Sequence, residues 1–434
     1  MSLLSRASRA SRLAAALLPL AAASCGSVTP AAPGAPSPSE EAGAPPVVEE
    51  APDAGLPCPP SGVSKGPWVV GVTGTTASVR FEACRAGVSG QVTLTPVAGG
   101  EKRTLTSKET ASVVTVTHKA ALNPSATPDF AGTWYSHEVS ATTLTPSTCY
   151  AYQLAADPIA AGRFCTARNA GEPVRFFAIG ATNPNLGDTT ERVLARVIPR
   201  GFDFTLHLGD IQYYDSTLET WASWSPRVAP LLRQGAFFPA IGNHEYEKPT
   251  EYEEYVRRYF GHTGLPGTDS VYRFESGGVH FFVLASEETI GPGSTQSKWF
   301  AEESARVTTL PGFRFSVVYF HRPFLTCGDE GDNPVARAFY EPLFVQNKVA
   351  LVLQAHLHAY ERFEVGSLTY VTSGGGGGRP GDPDKNLGRD YCASRKSAGG
   401  FHHGVLFEAE GALLRGTVID AEGAVRDTFE RAVP

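Results

Sequence analysis

Phe204-Thr205-Leu206-His207-Leu208-Gly209-Asp210-Ile211-Gln212-Tyr213 decides the fold class. Five residues of buried-strand character run straight into a glycine, a carboxylate and a phenol. The plan recurs downstream: Phe237–Ile241 runs into Gly242-Asn243-His244-Glu245, Phe315–Phe320 into His321, and Ala350–Leu353 leads to His356-Leu357-His358. Short apolar runs of this kind read as strands buried on both faces, and Val174–Ile179 and Val279–Ala285 add two more. Helix-like periodicity at Thr189–Ile198, Glu251–Tyr259 and Ser294–Arg306 alternates with them. The region after Gly171 is therefore expected to be an α/β domain of layered sheets. Such sheets present ligand sites just past the carboxyl ends of their strands. A single strand-terminal Asp or His is more often a cap or turn residue than a ligand, but four such fragments in sequence are hard to explain structurally.

Together Asp210, Asn243, His321, His356, His358 and Tyr213 offer one carboxylate able to bridge, one amide oxygen, three imidazoles and a phenolate. This mixed oxygen and nitrogen set suits iron, zinc or manganese rather than calcium. Two cations about 3.5–4 Å apart, spanned by one carboxylate, suit phosphoryl transfer to water, because such a pair acidifies water and clamps the phosphate oxygens. A thiolate zinc site is disfavoured, since no Cys-x-x-Cys pair occurs. The run Gly374 to Gly378 lacks the Gly-Lys-Ser/Thr ending of a nucleotide-binding loop. Arg379, which follows it, is a candidate for binding a substrate anion, with a plain surface arginine as the alternative.

The order and spacing of these fragments, with His356-Leu357-His358-Ala359-Tyr360-Glu361-Arg362 near the end, resembles the calcineurin-like metallophosphoesterases, and more closely the purple acid phosphatases, from Gly62 to Glu430. The resemblance implies an N-terminal all-β sandwich followed by a four-layer α/β/β/α metallophosphoesterase domain. It implies that Asp210 bridges, that Tyr213 and His358 bind a ferric-type site, and that Asn243, His321 and His356 bind a divalent site. His244 would hydrogen-bond the phosphate and assist the leaving oxygen, acting with Asp210 in catalysis, with a role orienting the metal ligands from behind as the alternative. The implied cofactor is iron paired with zinc, manganese or iron, and the implied substrate a small phosphate ester.

Two departures bear on this. Family members place Asp directly after Gly at the end of the first strand, and here Gly180 is followed by Ala181. Losing a carboxylate ligand removes a bond and a negative charge, so the ferric-type site should be weakened, and either a dinuclear or a mononuclear centre follows. Asn183, Asn185 and Asp188 lie off the expected position. After His321, where plant-type members place further histidines, the loop reads Thr326-Cys327-Gly328-Asp329-Glu330-Gly331-Asp332. It is read as solvated, with selection of a positively charged substrate as the alternative. The expected function is a metal-dependent phosphoric ester hydrolase. The alternatives are a catalytically impaired relative kept as a surface binding module, and a phosphodiesterase or nucleotide hydrolase.

At 434 residues, with roughly 150 per domain as a guide, two domains plus tails are expected. The formal charge of −7 is spread along the chain without a long Lys/Arg run, which argues against a nucleic-acid polymer as partner. Arg6, Arg9 and Arg12 precede an apolar stretch from Leu13 to Ala23, the pattern of an export signal. Ala22-Ala23-Ser24-Cys25-Gly26 resembles a bacterial lipoprotein cleavage site, so residues 1–25 are expected to be a leader with lipidation at Cys25. A periplasmic, outer-membrane-anchored or cell-surface protein follows, with secretion as the rival. Residues 26–60, rich in Ala, Pro, Gly, Ser, Val and Glu, read as a disordered linker. Residues 61–168 carry short alternating runs that suggest the β-sandwich, with Trp68 and Tyr152 expected in its core, and Leu144 to Tyr150 resembles a fibronectin type III turn and strand start. Residues 171–432 form the second domain. Cys58, Cys84, Cys149, Cys165, Cys327 and Cys392 are disulfide candidates in an exported chain; spacing allows 15 connectivities, of which Cys149 to Cys165 and Cys327 to Cys392 are the expected pairs.

Overall fold

The computed structural model describes residues 58–114, 132–183, 187–213, 221–246, 256–262 and 264–433. These all belong to the compact unit Ala51–Pro434. The leader with Cys25, nearly all of the linker, Asn185 and the first residues of the helix expected at 251–259 lie outside the described residues.

Two sheets stack face to face. The first has ten strands, in spatial order Val425–Ala432, Leu413–Asp420, His403–Glu410, Val174–Ile179, Phe204–Leu208, Ala236–Ala240, Val63–Val70, Ala77–Ala83, Gly132–Ala141 and Lys108–Val114. The second has seven, in the order Tyr272–Ser276, Val279–Val283, Phe315–Tyr319, Val349–Gln354, Leu368–Ser373, Tyr360–Val365 and Arg395–Gly399. Side chains alternate across each strand: Phe176 and Ala178 point into the core shared by the two sheets, while Phe177 and Ile179 point to the helices outside. Aromatic edges join the sheets, with Phe204 of the first 5.4 Å from Phe274 and 5.2 Å from Phe281 of the second. Helices Thr189–Val197 and Trp221–Leu232 pack outside the first sheet through Val193, Leu194, Val197 and Trp224. Helices Thr295–Val307 and Pro334–Gln346 cover the second through Phe300, Tyr340 and Phe344. The four-layer α/β/β/α arrangement follows from strands that are apolar on both faces.

The N-terminal region is all-β. A four-stranded sheet of Arg103–Thr106, Gln91–Pro96, Cys149–Leu154 and Ala161–Cys165 sits apart from the larger ones. The remaining N-terminal strands continue the ten-stranded sheet, because Val69 pairs in parallel with Ala236. Tyr152 lies in the large core, 6.3 Å from Phe164. Trp68 corrects its expectation: it is buried against Tyr259, Phe260 and Trp221 instead, its Nε1–H donating to the Tyr259 carbonyl at 2.7 Å. Cys149–Cys165 and Cys327–Cys392 form the two expected disulfides, and Cys58–Cys84 a third. No helix among the described residues is long and apolar enough to cross a membrane.

Candidate metal centre

Strand register gathers the polar fragments. In the first sheet Ile179 pairs with His207, and Leu208 with Ala240, so Ala181, Asp210 and Asn243 follow strands that end level at one edge. In the second, Tyr319 pairs with Leu353, so His321 and His356 follow strands ending at the corresponding edge. Three of these tip residues hold left-handed backbone: Ala181 at φ 59°, Asp210 at φ 52° and His356 at φ 65°. Non-glycine residues rarely adopt it, and they cluster at functional sites. Gly209 must be glycine, because a Cβ there would stand 2.6 Å from Nδ1 of His321.

His321 is the hub of the cluster. Its Nδ1 lies 2.9 Å from the Leu208 carbonyl, which fixes the proton on that nitrogen and turns Nε2 inward. Nε2 then lies 3.1 Å from Asn243 Oδ1, 3.2 Å from Asp210 Oδ2 and 3.2 Å from His356 Nδ1. Asp210, His321 and His356 each offer an atom within 4.8 Å of the others. Four groups with acceptor atoms thus meet at one point, an arrangement that could hold a cation. Burial would raise the Asp210 carboxyl and lower the His321 imidazole, but their mutual attraction outweighs it, holding Asp210 well below the usual carboxylate range and His321 above its own.

Glu245, to which the sequence assigned no role, clamps two strand tips. Its carboxylate accepts from the backbone N–H groups of Asp210 at 3.0 Å, Ile211 at 2.8 Å and Gly242 at 2.7 Å. Burial, followed by the nearby Asp210 charge, pushes its pKa up to about 7. His244 is half-buried; its backbone N–H donates to Asp210 Oδ1 at 3.1 Å, and its ring lies 3.9 Å from that of Tyr213.

Tyr213 and His358 meet beside the cluster. The Tyr213 hydroxyl is 2.6 Å from His358 Nε2, and His358 Nδ1 is 2.9 Å from the Arg379 carbonyl. The phenol therefore donates to the imidazole. Burial and then the carboxylates of Asp210 and Glu245 hold its pKa well above the ordinary value. Gly378 gives His358 its space, since a Cβ there would stand 2.4 Å from the ring. The Arg379 side chain is exposed. Ala181 is fully buried at the position where a carboxylate would complete this half. Asp188 is exposed at the head of helix Thr189–Val197, and the backbone N–H of Asn183 donates to the Ala181 carbonyl.

The acidic loop is solvated in part, with Asp329 and Gly331 exposed, but its carboxylates also have partners. Glu330 reaches His356, with Oε2 3.0 Å from Nε2; Asp332 accepts from the Tyr391 hydroxyl at 2.8 Å; Asp329 accepts from the backbone of Asp382 at 3.1 Å. The loop is held down by the Cys327–Cys392 disulfide and by Glu361, which accepts from Thr326 Oγ1 and the Cys327 N–H. Spacing alone could not reveal these partners, because they come from a separate segment.

Comparison with known proteins agrees with this geometry. Residues 184–360 match the calcineurin-like phosphoesterase family model. Purple acid phosphatase 22 of Arabidopsis thaliana is 30% identical over 231 residues, covering 48% of this chain and 51% of that protein. The purple acid phosphatase of Glycine max is 28% identical over 219 residues, 46% of each chain. The chain thus spans about half the length of these curated relatives. In fold, it superposes on the purple acid phosphatase PPD1 of yellow lupin (Lupinus luteus) seeds with a TM-score of 0.66 at 16% identity, covering 84% of this chain and 74% of that one. Over residues 184–360 the chain is thus similar to the calcineurin-like phosphoesterases, and over about half of its length to the purple acid phosphatases.

Proposed function

We propose that this chain is a metal-dependent phosphoric ester hydrolase that acts on small phosphate esters outside the cytoplasm, as a phosphomonoesterase of the purple acid phosphatase type. The observation that carries the reading is the convergence of Asp210, Asn243, His321 and His356 on one point. These four residues would hold a divalent cation, and Tyr213, His358 and the shared Asp210 a second, weaker one. Such a cation supplies Lewis acidity, acidifying water and offsetting charge on a phosphoryl group. The chain's own residues do the rest. Glu245 fixes the Asp210 backbone, Leu208 fixes the His321 tautomer, and His244 stands beside the cluster to hydrogen-bond a phosphate oxygen and protonate the leaving one.

The decisive experiment measures bound metal and hydrolysis of an aryl phosphate for wild type and Asp210→Ala. Wild type should carry metal and turn over. Asp210→Ala should lose more than about 100-fold in activity, since disturbing even groups behind the ligands costs up to that much. A second reading is favoured by buried Ala181: a catalytically impaired relative serving as a surface binding module. A wild-type protein that carries metal but hydrolyses neither mono- nor diesters would establish that reading in place of the first.

A further inference from the structure

The divalent half of the centre contains an unresolved competition at His356. Its Nδ1 faces His321 and Asp210. Its Nε2 has two neighbours of opposite kind: Nη1 of Arg322 at 2.8 Å, a donor, and Oε2 of Glu330 at 3.0 Å, an acceptor. One ring nitrogen cannot serve both. If Nε2 accepts from Arg322, the neutral ring carries its proton on Nδ1, pointing it at the other ligands and blocking coordination there. If Nε2 carries the proton and donates to Glu330, the Nδ1 lone pair is free for a cation. Arg322 has a second anchor, with Nε 2.8 Å from Oε1 of Glu287.

We propose that Glu330 is the positioning residue of the metal centre: by accepting from Nε2–H of His356 it selects the tautomer that presents Nδ1 to the cation, against Arg322 as the competing donor. The inference rests on the metal-centre reading above. Carboxylates behind metal-bound imidazoles act in this way, orienting the ring and raising its basicity. The surroundings of Glu330 are built for such a task. The segment Thr326 to Asp332 is tied to the hydrolase core by the Cys327–Cys392 disulfide, by Glu361, and by Arg389, whose Nη1 reaches the carbonyl of Glu330 itself at 3.4 Å. Glu287 holds the Arg322 guanidinium from the other side, through Nε.

The test is Zn2+ affinity of the full chain, measured by competition with a chromophoric chelator, together with the His356 tautomer read from two-bond 15N–1H correlations. Glu330→Ala should weaken Zn2+ binding about 10–100-fold. Glu330→Gln, which keeps an acceptor oxygen, should recover part of that loss, and adding Arg322→Met to Glu330→Ala should recover more by removing the competitor. A purely structural role for Glu330 would give neither recovery. If Glu330→Ala binds Zn2+ as tightly as wild type, or if wild-type His356 carries its proton on Nδ1 with Zn2+ bound elsewhere, the inference is overturned while the metal centre stands. If wild type binds no Zn2+, Mn2+ or iron at all, both fall together.

Discussion

At the scale of single residues, Ala181 holds the most information. Its left-handed backbone, φ 59°, costs an alanine about 1–2 kcal/mol, whereas Asp and Asn tolerate that region best. The backbone there has a shape that suits Asp or Asn better than Ala. Ala181→Asp should therefore fit without moving the strand tip. In metal-free protein it should lower stability, because it buries a second acid near Asp210 and Glu245 without a partner. With metal supplied, the bound content by elemental analysis should rise from about one equivalent towards two. A content unchanged by the substitution would show that the missing carboxylate does not limit the second site. Ala181 was legible in the sequence only as a departure from a pattern; its backbone strain is a property of the folded chain.

At the scale of elements, the motif from His356 to Arg362 divides its labour. His356 and His358 face the site, while the residues after them build its walls. Tyr360 and Arg362 bond to Asp427, at 2.9 and 2.8 Å. Glu361, fully buried, accepts from Thr326 Oγ1 at 2.6 Å, the Cys327 N–H at 2.9 Å and Arg395 at 3.2 Å. Glu361→Ala would leave the Thr326 hydroxyl and the Cys327 N–H without their acceptor, while Arg395 keeps Asp384 and the Pro383 carbonyl, so it should cost about 2–4 kcal/mol. The measurement is the urea midpoint, which should fall at constant slope. It should also weaken metal binding through the loosened loop that carries Glu330, which Tyr360→Phe should not. The parallel strands were readable because burial on both faces leaves largely apolar runs, as in Phe176–Ile179 and Phe315–Tyr319. Helices Trp221–Leu232 and Pro334–Gln346 were not, because Pro226, Pro230 and Pro342 interrupt the pattern that identifies a helix. Tertiary packing overrode that local signal.

At the scale of the whole molecule, the two-sheet core that brings the strand tips together also sets a pH limit. His207, His280 and His403 are buried in strands of both sheets. Burial first of all holds their pKa values down, to about 3, 4 and 4. In the unfolded chain each titrates near 6.5. As pH falls below about 6.5 the unfolded state takes up three protons that the native state refuses until near pH 4, so stability is complete above that range and drains away within it. Glu245 works against this, because its raised folded pKa of about 7 keeps a proton that the unfolded chain releases down to about pH 4.5. Among these four groups the balance is about two protons in favour of unfolding, or roughly 3 kcal/mol per pH unit at the steepest. In metal-free protein the urea midpoint should therefore fall between pH 6.5 and 4.5, and His280→Gln combined with His403→Gln should flatten that fall. An equally steep fall in the double variant would mean that these imidazoles are not the source, and that other buried groups limit the protein in acid.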